Sequence, residues 1–190
     1  MIYTLGKPLF WLYYHIFFRL KVVNRGNVPK TGGVVLCANH ISANDPLCLG
    51  VATKRRLHFL AKKEVFKYKV FVPVLKSLNA IPIDRNNPER ASIKAALKVL
   101  TDGKVLGIFA QGGRKEGMDF DDAKSGAAFF ALKSGACIVP VKIESTYKFF
   151  SRITITFGNP ISMDKHKNKK IKSELLAEIT QQVMAEVAKL

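Results

Sequence analysis

Acidic residues are scarce in this chain. Among its 190 residues, 14 are Asp or Glu and 31 are Lys or Arg, which gives a formal net charge of +17. Such an excess of positive charge indicates an anionic partner, whether nucleic acid, anionic lipid headgroups, a phosphorylated substrate or an acidic protein. With 48% hydrophobic residues the chain is not composed like a disordered protein, and its length suits one core but is short for two domains.

Cysteine is sparse as well, and the few thiols are not spaced as ligands. Cys37, Cys48 and Cys137 are odd in number, have no C-x-x-C spacing and lie in apolar runs. This pattern predicts buried reduced thiols of a cytosolic protein, with neither a disulfide framework nor a zinc site. The chain also lacks a P-loop, a dinucleotide-binding glycine fingerprint, a G-x-S-x-G sequence and an H-E-x-x-H sequence. The corresponding nucleotide-binding, hydrolase and zinc sites are therefore not expected.

The apolar run near the N-terminus is too short to cross a membrane. Residues 8–18, PLFWLYYHIFF, carry no formal charge and as a helix would be about 17 Å long, against about 30 Å for a bilayer core. Six of these residues are aromatic: Phe10, Trp11, Tyr13, Tyr14, Phe17 and Phe18. The helix either packs on the domain or lies in the membrane interface, and we favour the interface because Trp and Tyr are enriched there. No A-x-A-like cleavage site follows, so we do not expect a signal peptide.

Short β-rich apolar runs alternate with helical patterns along the rest of the chain. The runs that predict strands are GVVLCAN, LHFLA, AIPI, VLGIFA, CIVPVKI and RITITF. Helices are predicted over residues 46–53, 64–78, 87–101, 124–134 and 171–190. This alternation predicts an α/β fold, a single domain with a mostly parallel mixed sheet and helices on both faces.

The stretch VVLCANHISANDP contains a histidine and an aspartate at a suggestive place. His40 falls just past a predicted buried strand, where open α/β sheets bind ligands. Asp45 stands directly before Pro46, which fits the N-cap of a helix. In a purely structural interpretation, Asp45 caps the helix and His40 bonds to the backbone. Alternatively, the turn folds back and the carboxylate orients the imidazole as a general base, as in a Ser-His-Asp triad whose hydroxyl comes from the substrate.

Basic residues follow three other predicted strands. Lys62 comes after LHFLA, Arg85 after AIPI, and Arg114 after a strand that ends in Gly112 and Gly113. Glycines let backbone N–H groups approach an anion closely, and arginine can bind an anion through two hydrogen bonds. One basic residue after a strand is usually a solvated surface charge. Several at the same edge of a sheet as a His–Asp pair predict a phosphate site beside a general base.

At these positions the chain resembles the glycerolipid acyltransferase family, and within it the 1-acylglycerol-3-phosphate acyltransferase type. NHISAND contains an H-x-x-x-x-D sequence like the family's first block, and NAIPIDR, FAQGGRK and IVPVKI are similar to the later blocks in the same order. The resemblance covers about residues 26–160 and implies His40 as the base and Asp45 as the residue that orients it. Residues implied to contact the substrate phosphate are Arg85, Arg114 and Lys62. Residues implied to position the substrate are Gln111, Gly112 and Gly113.

The third block departs from the usual family pattern F-P-E-G-T-R-S. Ala110 replaces the proline, Gln111 the glutamate and Gly113 the threonine, and in the second block Asn79 stands where glycine is common. Gln111 can still form hydrogen bonds but carries no charge. The acceptor that the family glutamate helps to select therefore stays open for this chain.

The resemblance implies a specific activity. A fatty acyl group would move from acyl-carrier protein or acyl-CoA to the free hydroxyl of 1-acyl-sn-glycerol 3-phosphate, giving phosphatidic acid for phospholipid biosynthesis. Direct transfer would need neither a metal nor another cofactor. From the aromatic run and the basic charge we expect contact with an anionic membrane surface and a peripheral or monotopic protein on the cytoplasmic face of the cell membrane. The membrane-interface helix is expected in residues 1–24 and the acyltransferase domain in 25–190.

Three alternatives are weighed against this activity. An acyltransferase of the same family could act on another lysolipid or on glycerol 3-phosphate. The positive charge would suit a nucleic-acid-binding protein, but the aromatic residues cluster in one run and no recognition motif is present, so we expect no nucleic-acid partner. A cysteine hydrolase using Cys37 or Cys48 is disfavoured, because Cys37 and His40 on one continuing strand would face opposite sides.

Overall fold

The computed structural model of the chain describes residues 2–70, 72–84, 87, 89–113, 123–167 and 169–190. Within these ranges the strands are β1 (Lys21–Val23), β2 (Val34–Ala38), β3 (Leu57–Lys62), β4 (Ala80–Ile83), β5 (Val105–Phe109), β6 (Cys137–Glu144) and β7 (Thr154–Phe157). The α-helices are α1 (Ile2–Phe18), α2 (Asp45–Ala52), α3 (Val72–Ser77), α4 (Arg90–Thr101), α5 (Gly126–Ser134) and α6 (Ser173–Lys189). Short 3-10 helices cover Arg25–Asn27, Lys63–Lys67 and Asp164–His166.

The strands form one sheet in the order β1-β7-β6-β2-β5-β3-β4. The five strands from β6 to β4 pair in parallel, whereas β7 runs antiparallel to β6 and pairs in parallel with β1. The prediction of an α/β fold with a mostly parallel mixed sheet is confirmed. The carboxyl ends of the five parallel strands meet along one side of the sheet, which we call the carboxyl edge.

Helices cover both faces of the sheet, as the sequence predicts. Strand β2 contributes to both layers of the core: Val34 and Leu36 lie in a cluster shared with α1 and α2, while Val35 and Cys37 lie in a cluster shared with α4, α5 and α6. All residues of β2 are buried. A parallel strand with helices on both faces has no solvent-facing side, which explains why VVLCA is continuously apolar.

Two stretches differ from the sequence-based prediction. The predicted helix over residues 64–78 is wrong, because Lys63–Lys67 form a 3-10 helix and an α-helix begins only at Val72. Pro73 has no N–H and its ring crowds the carbonyl four residues earlier, which disfavours a helix interior at this position and suits the first turn of α3. The sequence pattern also lacks a signal for β1, a strand of three residues that pairs with β7.

Helix α1 has an inner and an outer apolar face. Tyr14 and Phe18 are 1% and 4% exposed and pack in the core beside α2. The outer face consists of exposed residues at helical spacing: Leu9, Leu12, Tyr13, Ile16 and Phe17. Among the described residues, none of the helices combines the length and the apolar character needed to cross a membrane. One face of the predicted aromatic helix therefore packs on the domain, and contact of the other face with lipid stays a prediction.

Candidate active site

The loop between β2 and α2 brings the histidine and the aspartate of HISAND together. His40 Nδ1 lies 2.7 Å from Asp45 Oδ2. Since β2 ends at Ala38 and α2 begins at Asp45, both residues stand at the carboxyl edge of the sheet. The Asp45 side chain is fully buried, while the His40 side chain is 13% exposed. One edge of the imidazole therefore reaches the surface, and the carboxylate lies behind it.

Four hydrogen bonds hold the Asp45 carboxylate. Oδ2 accepts from His40 Nδ1 and from the backbone N–H groups of Ile41 and Ser42, the latter two at 2.7 and 2.8 Å. Oδ1 accepts from the hydroxyl of Tyr147 at 2.6 Å. The carboxylate is directed back into its own loop, so the interpretation of Asp45 as a helix N-cap is wrong. A buried charge is tolerated because each of its oxygens is satisfied in this way.

The hydrogen bond between the two side chains determines where the imidazole can react. A carboxylate oxygen only accepts, so Nδ1 of His40 carries the ring proton and the neutral ring keeps its lone pair on Nε2. A proton taken up at Nε2 creates an imidazolium, whose charge Asp45 stabilises. The pair can therefore act as a general base toward a hydroxyl that approaches Nε2.

Two phenylalanine rings support the imidazole. The ring of His40 stacks on Phe109 with centroids 4.2 Å apart, and Phe109 lies nearly parallel to Phe59 at 6.0 Å. Phe59 sits opposite Gly107 of β5 in the strand register. A Cβ atom on Gly107 would lie 2.5 Å from the Phe59 ring, so glycine is needed here to leave space for the stack. The glycine in VLGIFA therefore serves the packing that supports the candidate base.

Gln111 contacts the site through the backbone of His40. Its Oε1 accepts the His40 N–H at 3.0 Å, and the residue is buried. Asn39, also buried, bonds to both the N–H and the carbonyl of Ile143 and so ties the end of β2 to β6. Neither contact follows from the sequence pattern. A neutral amide is sufficient at position 111 for this contact, because a backbone N–H needs an acceptor but no charge.

Of the remaining residues predicted to contact the substrate, Lys62, Gly112 and Gly113 lie at the carboxyl edge, at or just past the ends of β3 and β5. Lys62 is the last residue of β3, and its exposed side chain forms an ion pair with a neighbouring glutamate at 3.5 Å. Gly112 takes a left-handed turn with φ of 64°, directly before Gly113. Arg85 and Arg114 lie outside the described residues. Substrate contacts by these five residues stay predictions.

Tyr147 is the member of the site that sequence patterns do not indicate. It lies in the loop between β6 and β7, 102 residues from Asp45 along the chain. Its hydroxyl also lies 3.6 Å from Cys48 Sγ. Burial raises the pKa of Tyr147 far above that of a free tyrosine, so the hydroxyl keeps its proton and can donate it to the carboxylate.

The buried thiols are not prepared for nucleophilic attack. Burial raises the pKa of Cys37 to about 12 and that of Cys48 to about 11. Both thiols are therefore protonated near neutral pH, which argues against the cysteine-hydrolase alternative. In the part of the chain that the structure describes, no group of three or more His, Cys, Asp or Glu residues could hold a metal ion.

A mostly parallel α/β sheet with a His–Asp pair at its carboxyl edge is consistent with a transferase of activated acyl groups, and comparison with known families identifies the class. Residues 19–144 match the model of the Acyltransferase family. This range is more than half of the chain and includes the His40–Asp45 loop, so the chain belongs to the Acyltransferase family. The resemblance found in the sequence is confirmed. Tyr147 lies just beyond the matched range.

Several relatives carry the name 1-acyl-sn-glycerol-3-phosphate acyltransferase. The protein of that name from Bacillus subtilis (strain 168) is 36% identical over 126 residues, which is 66% of this chain and 62% of the relative. That from Streptococcus pneumoniae (strain ATCC BAA-255 / R6) is 32% identical over 163 residues, 82% of this chain and 60% of the relative. The chain thus spans about 60% of the length of these relatives.

A solved structure supports the fold. The crystal structure of the 1-acyl-sn-glycerophosphate acyltransferase PlsC from Thermotoga maritima is similar with a TM-score of 0.71, covering 99% of this chain and 77% of that protein. At 22% sequence identity, this similarity shows a shared fold. It places the mostly parallel sheet and the helices on its two faces in a known architecture.

Proposed function

We propose that the chain transfers a fatty acyl group from an acyl thioester to the free hydroxyl of 1-acyl-sn-glycerol 3-phosphate, giving phosphatidic acid. The observation that carries the proposal is the 2.7 Å contact of His40 with the fully buried Asp45 at the carboxyl edge. It occurs in a chain similar to proteins named for this activity. An alcohol is a weak nucleophile until its proton is removed, which is what this pair is suited to do.

The proposed reaction is a direct transfer. His40 Nε2 takes the proton of the acceptor hydroxyl while its oxygen attacks the thioester carbonyl. The tetrahedral intermediate, whose oxyanion requires nearby N–H donors, collapses and expels the thiolate of acyl-carrier protein or coenzyme A. The imidazolium beside Asp45 returns the proton to that thiolate. The scheme balances without an acyl group attached to the protein.

Positive charge at the carboxyl edge suits the phosphate of the acceptor. Lys62 ends β3 at this edge. We assign Arg85 and Arg114 to the phosphate as well, because arginine binds it through two parallel hydrogen bonds. Arg114→Ala should raise the KM for the phosphorylated acceptor far more than the KM for the donor. Arg114→Lys should restore only part of the loss, since an ammonium lacks the planar fork. Equal changes in both KM values would remove Arg114 from the acceptor site.

A substrate panel tests the proposed reaction. The purified chain is incubated with labelled acyl-carrier protein or acyl-CoA and, separately, with 1-acyl-sn-glycerol 3-phosphate, a neutral lysophospholipid or glycerol 3-phosphate. We expect labelled phosphatidic acid with the first acceptor, and no product from the His40→Ala variant. Product from another acceptor alone would favour the alternative activity, an acyltransferase of the same family that acts on a different lysolipid or on glycerol 3-phosphate. Gln111, in place of the family glutamate, leaves that alternative open. Absence of transfer in every arm would refute the proposal.

We also propose that the chain binds the cytoplasmic membrane leaflet through α1. The exposed Phe149 and Phe150 extend its outer apolar face, and the carbonyl of Phe17 in α1 accepts the N–H of Phe150 at 2.7 Å. A cavity of about 550 Å³ beside Trp11 is lined by four cationic residues: Lys7, Arg25, Lys54 and Arg56. Exposed aromatic and basic groups together favour an anionic bilayer surface, where an acyl-chain substrate resides.

A further inference from the structure

The two oxygens of Asp45 have different partners. Oδ2 faces His40 and its own loop, whereas Oδ1 accepts the hydroxyl proton of Tyr147 at 2.6 Å. We propose that Tyr147 is a positioning residue for the base, because its hydroxyl holds the carboxylate in the rotation that keeps Oδ2 on His40 Nδ1. The inference rests on the proposed function of His40 as the general base and adds a residue that lies beyond the family match.

The hydroxyl satisfies an oxygen that solvent does not reach. The Asp45 side chain is 0% exposed. If the phenol of Tyr147 were removed, Oδ1 would therefore be a buried, charged acceptor that has lost its hydrogen-bond donor. The carboxylate would then turn toward other donors, and its hold on the imidazole would loosen. The imidazole would be less firmly oriented, and the imidazolium formed in the reaction would be less stabilised.

Tyr147 is placed by its surroundings as well as by this hydrogen bond. Its backbone is left-handed, with φ of 53°, a conformation that residues with a side chain seldom adopt and that occurs at sites where the structure enforces it. Its N–H donates to Ser145 Oγ at 2.9 Å, and its ring packs edge-on against Phe18 of α1. The titratable groups around the Asp45 carboxylate are His40, Tyr147, Cys48 and Tyr14.

The variant Tyr147→Phe keeps the ring and the backbone and removes the oxygen. We expect kcat to fall about tenfold while the KM values for donor and acceptor stay within about twofold, since a hydrogen bond to a charged group acting in catalysis is lost. NMR of the imidazole at a fixed pH supplies a second measurement that needs no substrate. The signal of the His40 Nδ1 proton, assigned by its absence from His40→Ala, should move upfield in the variant, because its hydrogen bond to Asp45 Oδ2 is held less firmly.

A neighbouring tyrosine is the matched control. Tyr14 is 1% exposed, and its hydroxyl bonds to Cys48 instead of Asp45, so Tyr14→Phe should leave the His40 Nδ1 proton signal in place. A His40 Nδ1 proton signal in Tyr147→Phe that superimposes on that of the wild type or moves downfield would overturn the inference, as would an equal shift in Tyr14→Phe. If the wild-type chain transfers no acyl group but the Nδ1 proton signal still moves as expected, the proposed function fails while the contact between Tyr147 and the pair stands.

Discussion

Replacing Asp45 by asparagine isolates the charge of the candidate pair. The backbone N–H groups of Ile41 and Ser42 both require an oxygen at the Oδ2 position. The amide oxygen of asparagine will therefore occupy that place and keep accepting from His40 Nδ1. The amide NH2 then points toward Tyr147, whose hydroxyl can rotate and accept instead of donate. Asp45→Asn should preserve the hydrogen bonds and the imidazole tautomer, and lose the negative charge.

The expected loss of kcat in Asp45→Asn follows from Coulomb's law at short range. Two unit charges about 4 Å apart interact by about 4 kcal/mol at an effective dielectric constant of 20. Because the pair is largely buried, with 13% and 0% side-chain exposure, this interaction is weakly screened. If the imidazolium is largely formed in the transition state, kcat should fall by about 10²- to 10³-fold. The melting temperature should change by only about 3 °C, because the hydrogen bonds are kept.

The assay is steady-state acyl transfer with the best acceptor, together with thermal unfolding of the same samples. Asp102→Asn is the matched control, because Asp102 is a surface carboxylate paired with Lys98 and Lys104. A kcat for Asp45→Asn within about fivefold of the wild type, with normal stability, would refute the role of Asp45 as the partner of the base.

Three further outcomes test the surroundings of the pair. Gly107→Ala should lower the free energy of unfolding by about 1–3 kcal/mol in denaturant titrations and reduce kcat, since the new Cβ meets the ring of Phe59; unchanged stability would show that the ring moves freely. Gln111→Met should lower kcat about tenfold by leaving a buried backbone N–H without its acceptor, while Gln111→Glu keeps an oxygen there and stays within about threefold. Equal kinetics of the two variants would contradict that role. The double variant Ile16→Gln, Phe149→Gln changes two exposed positions. It should keep the wild-type melting temperature but lose the vesicle binding that the wild type retains in 1 M salt. Complete release of the wild type by 1 M salt would exclude an apolar contribution to binding.

The sheet and the pair were accessible from the sequence because both are encoded locally. Strand β2 is a continuous apolar run because helices cover both of its faces, and His40 follows directly where the run ends. The spacing between His40 and Asp45 allows a turn whose own N–H groups bind the carboxylate. An N-cap was the competing local solution, and periodicity does not distinguish the two.

Contacts between distant segments were not accessible in this way. Tyr147 reaches Asp45 across 102 residues, and Gln111 reaches the His40 N–H across 71. A hydrogen-bond partner leaves no periodic trace in a sequence, so Tyr147 looks like an ordinary loop residue, and Gln111 is indicated only by the family resemblance and for a different contact. The failed prediction of a helix over 64–78 has another origin, because the apolar spacing there is helical while Pro73 favours the start of a helix over its interior.

The inner face of α1 has a consequence for the order of events during synthesis. The carbonyls of Phe17 and Phe18 bond to Phe150 and Ile153, and β1, which follows α1, pairs with β7. These partners leave the ribosome after most of the chain, which at roughly 5–20 residues per second is on the order of ten seconds after α1. During that interval the inner face of the nascent helix lacks part of its folded-state cover, and the outer face is exposed as it is in the folded domain. If the outer face binds lipid as proposed, the bilayer can receive α1 first, and the rest of the domain then folds against a helix already held at the membrane.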